Sequence, residues 1–205
     1  MSSAASDVYK RQGYAASFKY LAAEYVNSSM YDRVLFVDCD CLIVKSINQL
    51  LGGSGIRFAE EEGLSIQSPP FNGYLTDQEM DTLKVNGINS GVWSVPGSEH
   101  ATLSKEWEHW NTSKRRRGDP FGWWEQPAWN RVVLDSKVSS EPIEASAIAY
   151  PVFKPYTISE LDRAAIHHFC GPKMPVTRKL ECMIGLYMKT FYGDAAPFVL
   201  DFLEI

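Results

Sequence analysis

The feature that most constrains this chain is an apolar run over residues 33–44 that two aspartates interrupt near its middle. The Val-Leu-Phe-Val segment at 34–37 predicts a strand buried on both faces, as in a mostly parallel sheet flanked by helices. Asp38 and Asp40 follow it directly. Because ligands collect at the carboxyl ends of the strands in such α/β sheets, we expect both carboxylates to lie at a binding face.

The two aspartates are separated by one residue, a spacing that lets both side chains point the same way along an extended backbone. Paired hard oxygen donors suit Mg²⁺ or Mn²⁺ that arrives with substrate phosphates. The alternative is that Asp38 and Asp40 only cap a turn. Metal binding is favoured because carboxylates at the end of so apolar a strand are costly unless they are satisfied.

Composition limits the class of protein. A chain of 205 residues with 45% hydrophobic and 22% charged residues is typical of a globular protein with one core. We expect one α/β domain over residues 13–205, preceded at 1–12 by a disordered leader or an artefact without the pattern of a secretory signal. The net charge of -5 argues against a nucleic-acid partner. No apolar segment approaches the roughly 20 residues of a membrane span.

Four cysteines, Cys39, Cys41, Cys170 and Cys182, form no Cys-x-x-Cys pair. They are expected to be reduced thiols, with Cys39 and Cys41 facing the side of the strand opposite the aspartates. Their spacing does not favour a zinc site. Free thiols and the missing secretory signal favour a cytoplasmic location, with the Golgi and secretory route left open.

Helical periodicity from Tyr14 to Val26 predicts a helix before the aspartate strand, and Lys19 lies within it. Lys19 is either a surface lysine or a group that reaches a phosphate. Further along, the sequence predicts a helical turn at 45–51, a strand at 56–60 and a long loop at 61–84 over the active face.

Glycine and small polar residues interrupt the next strand, at 87–96. They predict either a structural bulge or a site where Asn89 and Ser90 bind a hydroxyl-rich ligand near Gly91. Helices are predicted at 98–111 and 123–134, with Glu125 and Gln126 in the first turn of the second. Most tryptophans are expected in the core.

Short strands are predicted at 138–143, 147–153 and 165–169, and a last helix at 177–191. His168 ends the third of these strands, where it can join two carboxylates on Mn²⁺. Lys173 follows in a loop stiffened by glycine and proline, from which it can reach a diphosphate. Taken singly, either residue is more often structural, but together with the aspartate pair they form a more specific set.

In this order the pieces resemble family 8 of the retaining glycosyltransferases, which includes glycogenin, galactinol synthase and bacterial lipopolysaccharide galactosyltransferases. The resemblance spans about residues 13–175. It is carried by the strand with Asp-x-Asp at 31–40, Asn-Ser-Gly at 89–91, Glu-Gln at 125–126 in place of Asp-Gln, and the late motif at 168–175 that runs from His168 to Pro175 through Gly171 and Lys173.

The resemblance implies a GT-A-type fold and Mn²⁺-dependent transfer of a hexose from a UDP-sugar to a carbohydrate or other hydroxyl acceptor. Asp38, Asp40 and His168 would hold Mn²⁺, or Mg²⁺, with Asp38 also in the substrate site. The other substrate-binding residues would be Lys19, Asn89, Ser90, Gly91, Gly171 and Lys173, and the catalytic group would be Gln126, Glu125 and Asn89.

The implied chemistry separates UDP from the sugar with retention of configuration. The cation and Lys173 would stabilise the charge that develops on the leaving phosphate. Gln126 is a poor nucleophile, so attack of the acceptor on the same face is favoured over a covalent intermediate, with Gln126 and Glu125 stabilising the sugar. Homo-oligomerisation is left open.

The chain departs from the family pattern in three places. Lys19 stands where the family has an arginine, Val176 replaces an aromatic residue, and the first nucleotide-binding strand is not evident. The last departure leaves three interpretations: a truncated product, a second chain that completes the sheet, or a reduced and inactive relative.

Two alternatives to the transferase therefore stay open. One is a catalytically inactive domain that binds a sugar nucleotide or a partner. The other, less favoured, is a phosphohydrolase of the haloacid dehalogenase type, which also uses an apolar strand followed by Asp-x-Asp but needs a late acidic pair.

Overall fold

The structure is a computed structural model that describes residues 18–68, 74–82, 85–114, 125–152, 155–170 and 175–192. Several predictions lie outside these residues: the leader at 1–12, Gly171, Lys173, Trp123 and Trp124. None of the described helices is long and apolar enough to cross a membrane.

The helices are α1 (Phe18–Tyr25), α2 (Asp77–Thr82), α3 (Gly97–Lys114), α4 (Gln126–Asp135), α5 (Ile158–Arg163) and α6 (Val176–Tyr192). The strands are β1 (Arg33–Val37), β2 (Cys41–Ile43), β3 (Ile56–Ser65), β4 (Asn86–Pro96), β5 (Ser140–Pro142), β6 (Ile148–Ala149) and β7 (Ile166–His168). The described chain divides into two compact units, one within 1–36 and 53–141 and the other within 37–52 and 142–205.

The first unit contains a four-stranded sheet in the order β1-β4-β3-β5. Strands β3 and β4 pair antiparallel at residues 57–60 and at Ser65 of β3. Helix α3 packs against α1 and α4, and α4 packs against β4. Pro127 lies in the first turn of α4, where its missing N–H costs no helical hydrogen bond.

Tryptophans form the centre of this unit. Trp93, Trp107 and Trp129 are almost fully buried, and the Trp107 and Trp129 ring centroids lie 4.7 Å apart. Phe36 of β1 stacks on Trp93 with its centroid at 5.2 Å. The prediction of a tryptophan core is confirmed for these three residues, and Trp110 packs against the same core from a partly buried position.

The predicted bulge in β4 is confirmed. Phe58 pairs with Trp93, but its neighbour Ala59 pairs with Asn89, so the register shifts between them. The shift falls on Ser90, Gly91 and Val92, the stretch with small polar residues and glycine. Because the ladder is irregular there, backbone groups of β4 can form hydrogen bonds with side chains.

The second unit contains a three-stranded sheet in the order β2-β7-β6. Strand β2 pairs antiparallel with β7, with Cys41 opposite His168 and Leu42 opposite His167. Strand β7 runs parallel to β6. Helix α5 begins with a capping box in which the Thr157 hydroxyl accepts from the Glu160 amide and the Glu160 carboxylate accepts from Thr157.

The predicted α/β class, with sheet and helices packed together, is confirmed. The β3–β4 and β2–β7 pairs are nevertheless antiparallel, whereas the sequence predicted a mostly parallel sheet. An apolar run suits a buried strand of either direction when helices cover the sheet. The loop predicted at 61–84 is wrong in part: β3 continues to Ser65, and Asp77–Thr82 is helical. Helix α5 was not predicted, although Thr-x-x-Glu at 157–160 is its start signal.

Candidate functional site

The two aspartates lie in a tight turn between two strands. Strand β1 ends at Val37 and β2 begins at Cys41. The Cys41 amide donates to the Asp38 carbonyl at 3.1 Å, which closes the turn. The Phe169 amide donates to the Asp40 carbonyl at 2.8 Å, so the turn is tied to the chain that leaves β7.

His168 comes from β7, far along the chain, and it faces both aspartates. Its side chain is 1% exposed, and its Nε2 lies 3.3 Å from Asp40 Oδ1 and 3.8 Å from Asp38 Oδ2. Neither ring nitrogen has a hydrogen-bond partner with good geometry among the described residues. A buried imidazole without such a partner is costly, because it has lost its hydration without full compensation.

This arrangement fits a divalent cation. Two atoms bound to one ion at roughly 2.1 Å each can lie at most about 4.2 Å apart. Both separations from His168 Nε2, 3.3 Å to Asp40 and 3.8 Å to Asp38, are shorter than that limit. His168 Nε2, which has no hydrogen bond of good geometry among the described residues, would gain a ligand. The imidazole is therefore close enough to each predicted carboxylate ligand to share an ion with it.

Lys179 is a neighbour that the sequence reasoning missed. It lies on α6, and its Nζ donates to Asp40 Oδ2 at 2.7 Å. Partial burial raises the pKa of Asp40, but the approach of His168 and Lys179 outweighs burial and holds the pKa below its ordinary value. Asp40 is thus a carboxylate whose Oδ2 is paired with a lysine and whose Oδ1 faces His168.

Cys41 was expected to face away from the aspartates, and that expectation is wrong. Donor atoms of Asp40, Cys41 and His168 all lie within 4.8 Å of one another. Alternation of side chains holds only inside a strand, and the turn at 38–40 breaks it before β2 begins. Burial and the nearby Asp38 and Asp40 charges raise the pKa of the Cys41 thiol.

A second polar cluster lies in the other unit, where α1, β4 and the start of α4 meet. Lys19 is 8% exposed, and its Nζ lies 2.7 Å from Glu125 Oε1. The same carboxylate oxygen accepts from the Ser90 hydroxyl at 2.8 Å, and Lys19 also donates to that hydroxyl at 3.2 Å. Lys19 is therefore a buried partner of Glu125 and not a surface lysine.

Asn89 and Gln126 belong to the same cluster through a carboxylate that the sequence reasoning did not single out. Glu61 Oε2 accepts from Asn89 Nδ2 at 2.8 Å and from Gln126 Nε2 at 3.1 Å. Asn89 Oδ1 then accepts from the Gly91 amide at 2.8 Å. The only sequence signal for Glu61 was a run of three glutamates at the end of the predicted strand.

The bulge and helix α4 hold this cluster together. The Ser90 amide donates to Gln126 Oε1 at 3.2 Å, which replaces a ladder partner. Asn130 accepts from the Ile88 amide at 2.6 Å and donates to the Ile88 carbonyl at 2.8 Å. Trp107 Nε1 donates to the Glu125 carbonyl at 2.8 Å. These bonds fix the amide orientations of Gln126 and Asn130 within the cluster.

The site residues predicted from sequence thus fall into two groups. Asp38, Asp40 and His168 meet in one unit, and Lys19, Asn89, Ser90, Gly91, Glu125 and Gln126 meet in the other. Gly171 and Lys173 lie outside the described residues.

Comparisons with known proteins give little beyond the geometry. No protein-family model matches the chain, and no curated protein matches it. Among solved structures, the chain is similar to the bifunctional glycosyltransferase WbbM in its apo form, with a TM-score of 0.49 and 11% sequence identity. The match covers 80% of this chain but only 35% of the WbbM chain. A likeness at this level assigns neither a family nor an activity.

Proposed function

We propose that this chain is a metal-dependent glycosyltransferase of the GT-A type that moves a hexose from a UDP-sugar to a hydroxyl acceptor with retention of configuration. The observation that carries the proposal is the convergence of Asp38, Asp40 and His168. The histidine lies 128 residues beyond Asp40 in the chain, yet its buried Nε2 lies within 4 Å of both carboxylates.

In this proposal Asp38, Asp40 and His168 would hold Mn²⁺, or Mg²⁺ in its place. The cation, when bound, neutralises the negative charge that develops on a leaving diphosphate. Asp40 can serve as a ligand only if its carboxylate is ionised and correctly turned. Lys179 supports both conditions through its 2.7 Å contact with Oδ2.

In this proposal the second cluster, which contains Glu125, Gln126 and Asn89, binds the sugar. Hexoses are recognised by side chains that offer donors and acceptors in fixed directions, and Glu125, Gln126 and Asn89 are held by partners on several sides. Gln126 has both amide atoms engaged, its Nε2 with Glu61 and its Oε1 with Ser90. A fixed neutral amide suits orientation of a sugar better than nucleophilic attack, so the proposal keeps attack of the acceptor on the face that UDP leaves.

A donor screen tests this function. Release of UDP from a panel of UDP-sugars is measured with and without Mn²⁺, for the wild type, for Asp40→Ala and for Asp162→Asn, an exposed aspartate of the same unit. We expect release from at least one UDP-hexose that needs Mn²⁺, falls at least about 100-fold in Asp40→Ala and is unchanged in Asp162→Asn.

The other outcomes identify the alternatives. Protection of the fold by Mn²⁺ and UDP without turnover of any UDP-sugar would reject the enzyme in favour of a binding domain. Release of phosphate from an aryl phosphate with Mg²⁺, without UDP protection, would reject the transferase in favour of a phosphohydrolase.

A further inference from the structure

A thiol lies among the oxygen and nitrogen donors of the aspartate turn. The Cys41 sulfur is within 4.8 Å of the donor atoms of Asp40 and His168. Asp38 Oδ2 lies 3.8 Å from His168 Nε2, but Asp38 is not one of the three side chains that share this spacing. Asp40, Cys41 and His168 therefore offer one oxygen, one sulfur and one nitrogen within reach of one another.

The sheet register explains why the thiol is there. Cys41 and His168 are directly opposite each other in the antiparallel pair of β2 and β7. Side chains of opposed residues lie on the same face of a sheet, whereas the next pair, Leu42 and His167, faces the other way. His167 accordingly uses its Nε2 on the Leu161 carbonyl at 3.1 Å. The closeness of Cys41 and His168 is thus a property of the backbone pairing and not of one rotamer.

This donor set is not one that Mn²⁺ selects over other ions. Thiolate ligands favour Zn²⁺, which binds sulfur at about 2.3 Å and imidazole or carboxylate at about 2.1 Å in tetrahedral sites. Two such ligands lie at most about 4.4 Å apart, so a shift of less than about 0.5 Å brings the sulfur into range. Neither ring nitrogen of His168, which is almost fully buried, has a hydrogen bond of good geometry among the described residues.

We propose that Cys41 is a protein ligand of a Zn²⁺ site whose other protein ligands are Asp40 and His168. Binding of Zn²⁺ releases the thiol proton to solvent, and the thiolate sulfur coordinates the ion. A zinc ion held by three protein ligands keeps its fourth position for water or another ligand. Zn²⁺ bound there occupies Asp40 and His168 and so competes with the Mn²⁺ that they would hold. This last consequence rests on the proposed function, whereas the ligation by Cys41 does not.

Cobalt serves as the probe because Co²⁺ replaces Zn²⁺ in such sites and a cobalt–thiolate bond absorbs in the near ultraviolet. The full chain is titrated with Co²⁺ as wild type, as Cys41→Ser and as Cys182→Ser, a partly buried cysteine outside the cluster. We expect the thiolate band in the wild type and in Cys182→Ser and its loss in Cys41→Ser. Thermal melts without metal check that each variant is folded.

Competition with a zinc chelator gives the second measurement. Cys41→Ser and Cys41→Ala are expected to weaken Zn²⁺ binding by at least about 10-fold and to leave Mn²⁺ binding, followed by electron paramagnetic resonance, within about threefold. A wild type without the thiolate band, or a band that persists in Cys41→Ser, overturns the proposal. If the cobalt–thiolate band is clear but UDP and Mn²⁺ do not protect the protein against thermal unfolding, the zinc site is supported and the sugar-transfer function is rejected.

Discussion

At the scale of single residues, the buried charges of the first unit depend on one another. The side chains of Lys19 and Glu125 are each 10% exposed and lie 2.7 Å apart. Such a pair adds little net stability, because desolvation of both charges offsets their attraction. Removal of one partner costs more, since it leaves the other charge buried without its counter-charge.

Glu125→Gln keeps the shape of the side chain and removes its charge. We expect a loss of about 3 kcal/mol in the free energy of unfolding, measured by urea denaturation, because the Lys19 ammonium keeps its burial and loses its carboxylate. Glu24→Gln, at an exposed position on the same helix as Lys19, is the control and should change stability by less than about 0.5 kcal/mol. A loss below about 1 kcal/mol in Glu125→Gln would contradict the buried pair.

His100 makes stability depend on pH in a direction that the structure fixes. Burial lowers the pKa of His100. As pH falls, the unfolded chain therefore protonates this imidazole near its ordinary pKa of 6.5, before the folded protein does. The unfolded state therefore binds more protons as pH falls through that value, and stability falls with it, by at most about 1.4 kcal/mol per pH unit.

We expect the melting temperature of the wild type to fall as pH is lowered from 7.5 to 5.5. In His100→Gln, the melting temperature should depend less steeply on pH. His109→Gln, at an exposed position on the same helix, should keep the wild-type slope. Equal slopes in the wild type and in His100→Gln would show that the buried imidazole is not the source.

At the scale of elements, a glycine allows the start of helix α3 to pack closely on residues 28–32. The Gly97 amide donates to the Asp32 carbonyl at 3.0 Å. A Cβ at Gly97 would lie 1.9 Å from the Tyr31 carbonyl oxygen and 2.4 Å from that of Ser28. Both contacts are with backbone, which cannot turn aside as a side chain would. The start of α3 can therefore approach this segment only without a side chain.

Gly97→Ala should lower the free energy of unfolding by about 3 kcal/mol, because the start of α3 must move away from residues 28–31. Gly63→Ala is the comparison: its Cβ meets no atom within 4 Å, but φ is +76°, a strain of about 1 kcal/mol. Urea denaturation of both variants checks the order. A larger loss at Gly63 than at Gly97 would contradict the docking of α3.

At the scale of the whole molecule, the sequence was most informative where a local pattern and a local structure coincide. The strand before Asp38, the bulge at Gly91 and the tryptophan core followed from apolar runs and glycine placement, and the structure has each of them. His168 could be paired with the aspartates because it ends an apolar strand, where ligands of such proteins collect.

What the sequence did not predict depends on contacts between distant residues or on a turn that interrupts the alternation of side chains along a strand. Lys179 reaches Asp40 across 139 positions, and no spacing rule connects them. Cys41 was placed on the wrong face because the turn at 38–40 interrupts the alternation on which the prediction relied. Glu61 lay in a stretch read as a loop, whereas β3 continues through it.

The central claim is that Asp38, Asp40 and His168 bind one divalent ion, and direct Mn²⁺ binding tests it without reference to catalysis. Electron paramagnetic resonance of free Mn²⁺ is followed as the full chain is added, for the wild type and for Asp38→Asn, Asp40→Asn, His168→Gln and the control Asp162→Asn. The account predicts one bound ion per chain, affinity reduced at least about 10-fold in each of the three site variants, and no change in the control. Wild-type binding that none of the three substitutions weakens, or no binding at all, would contradict it.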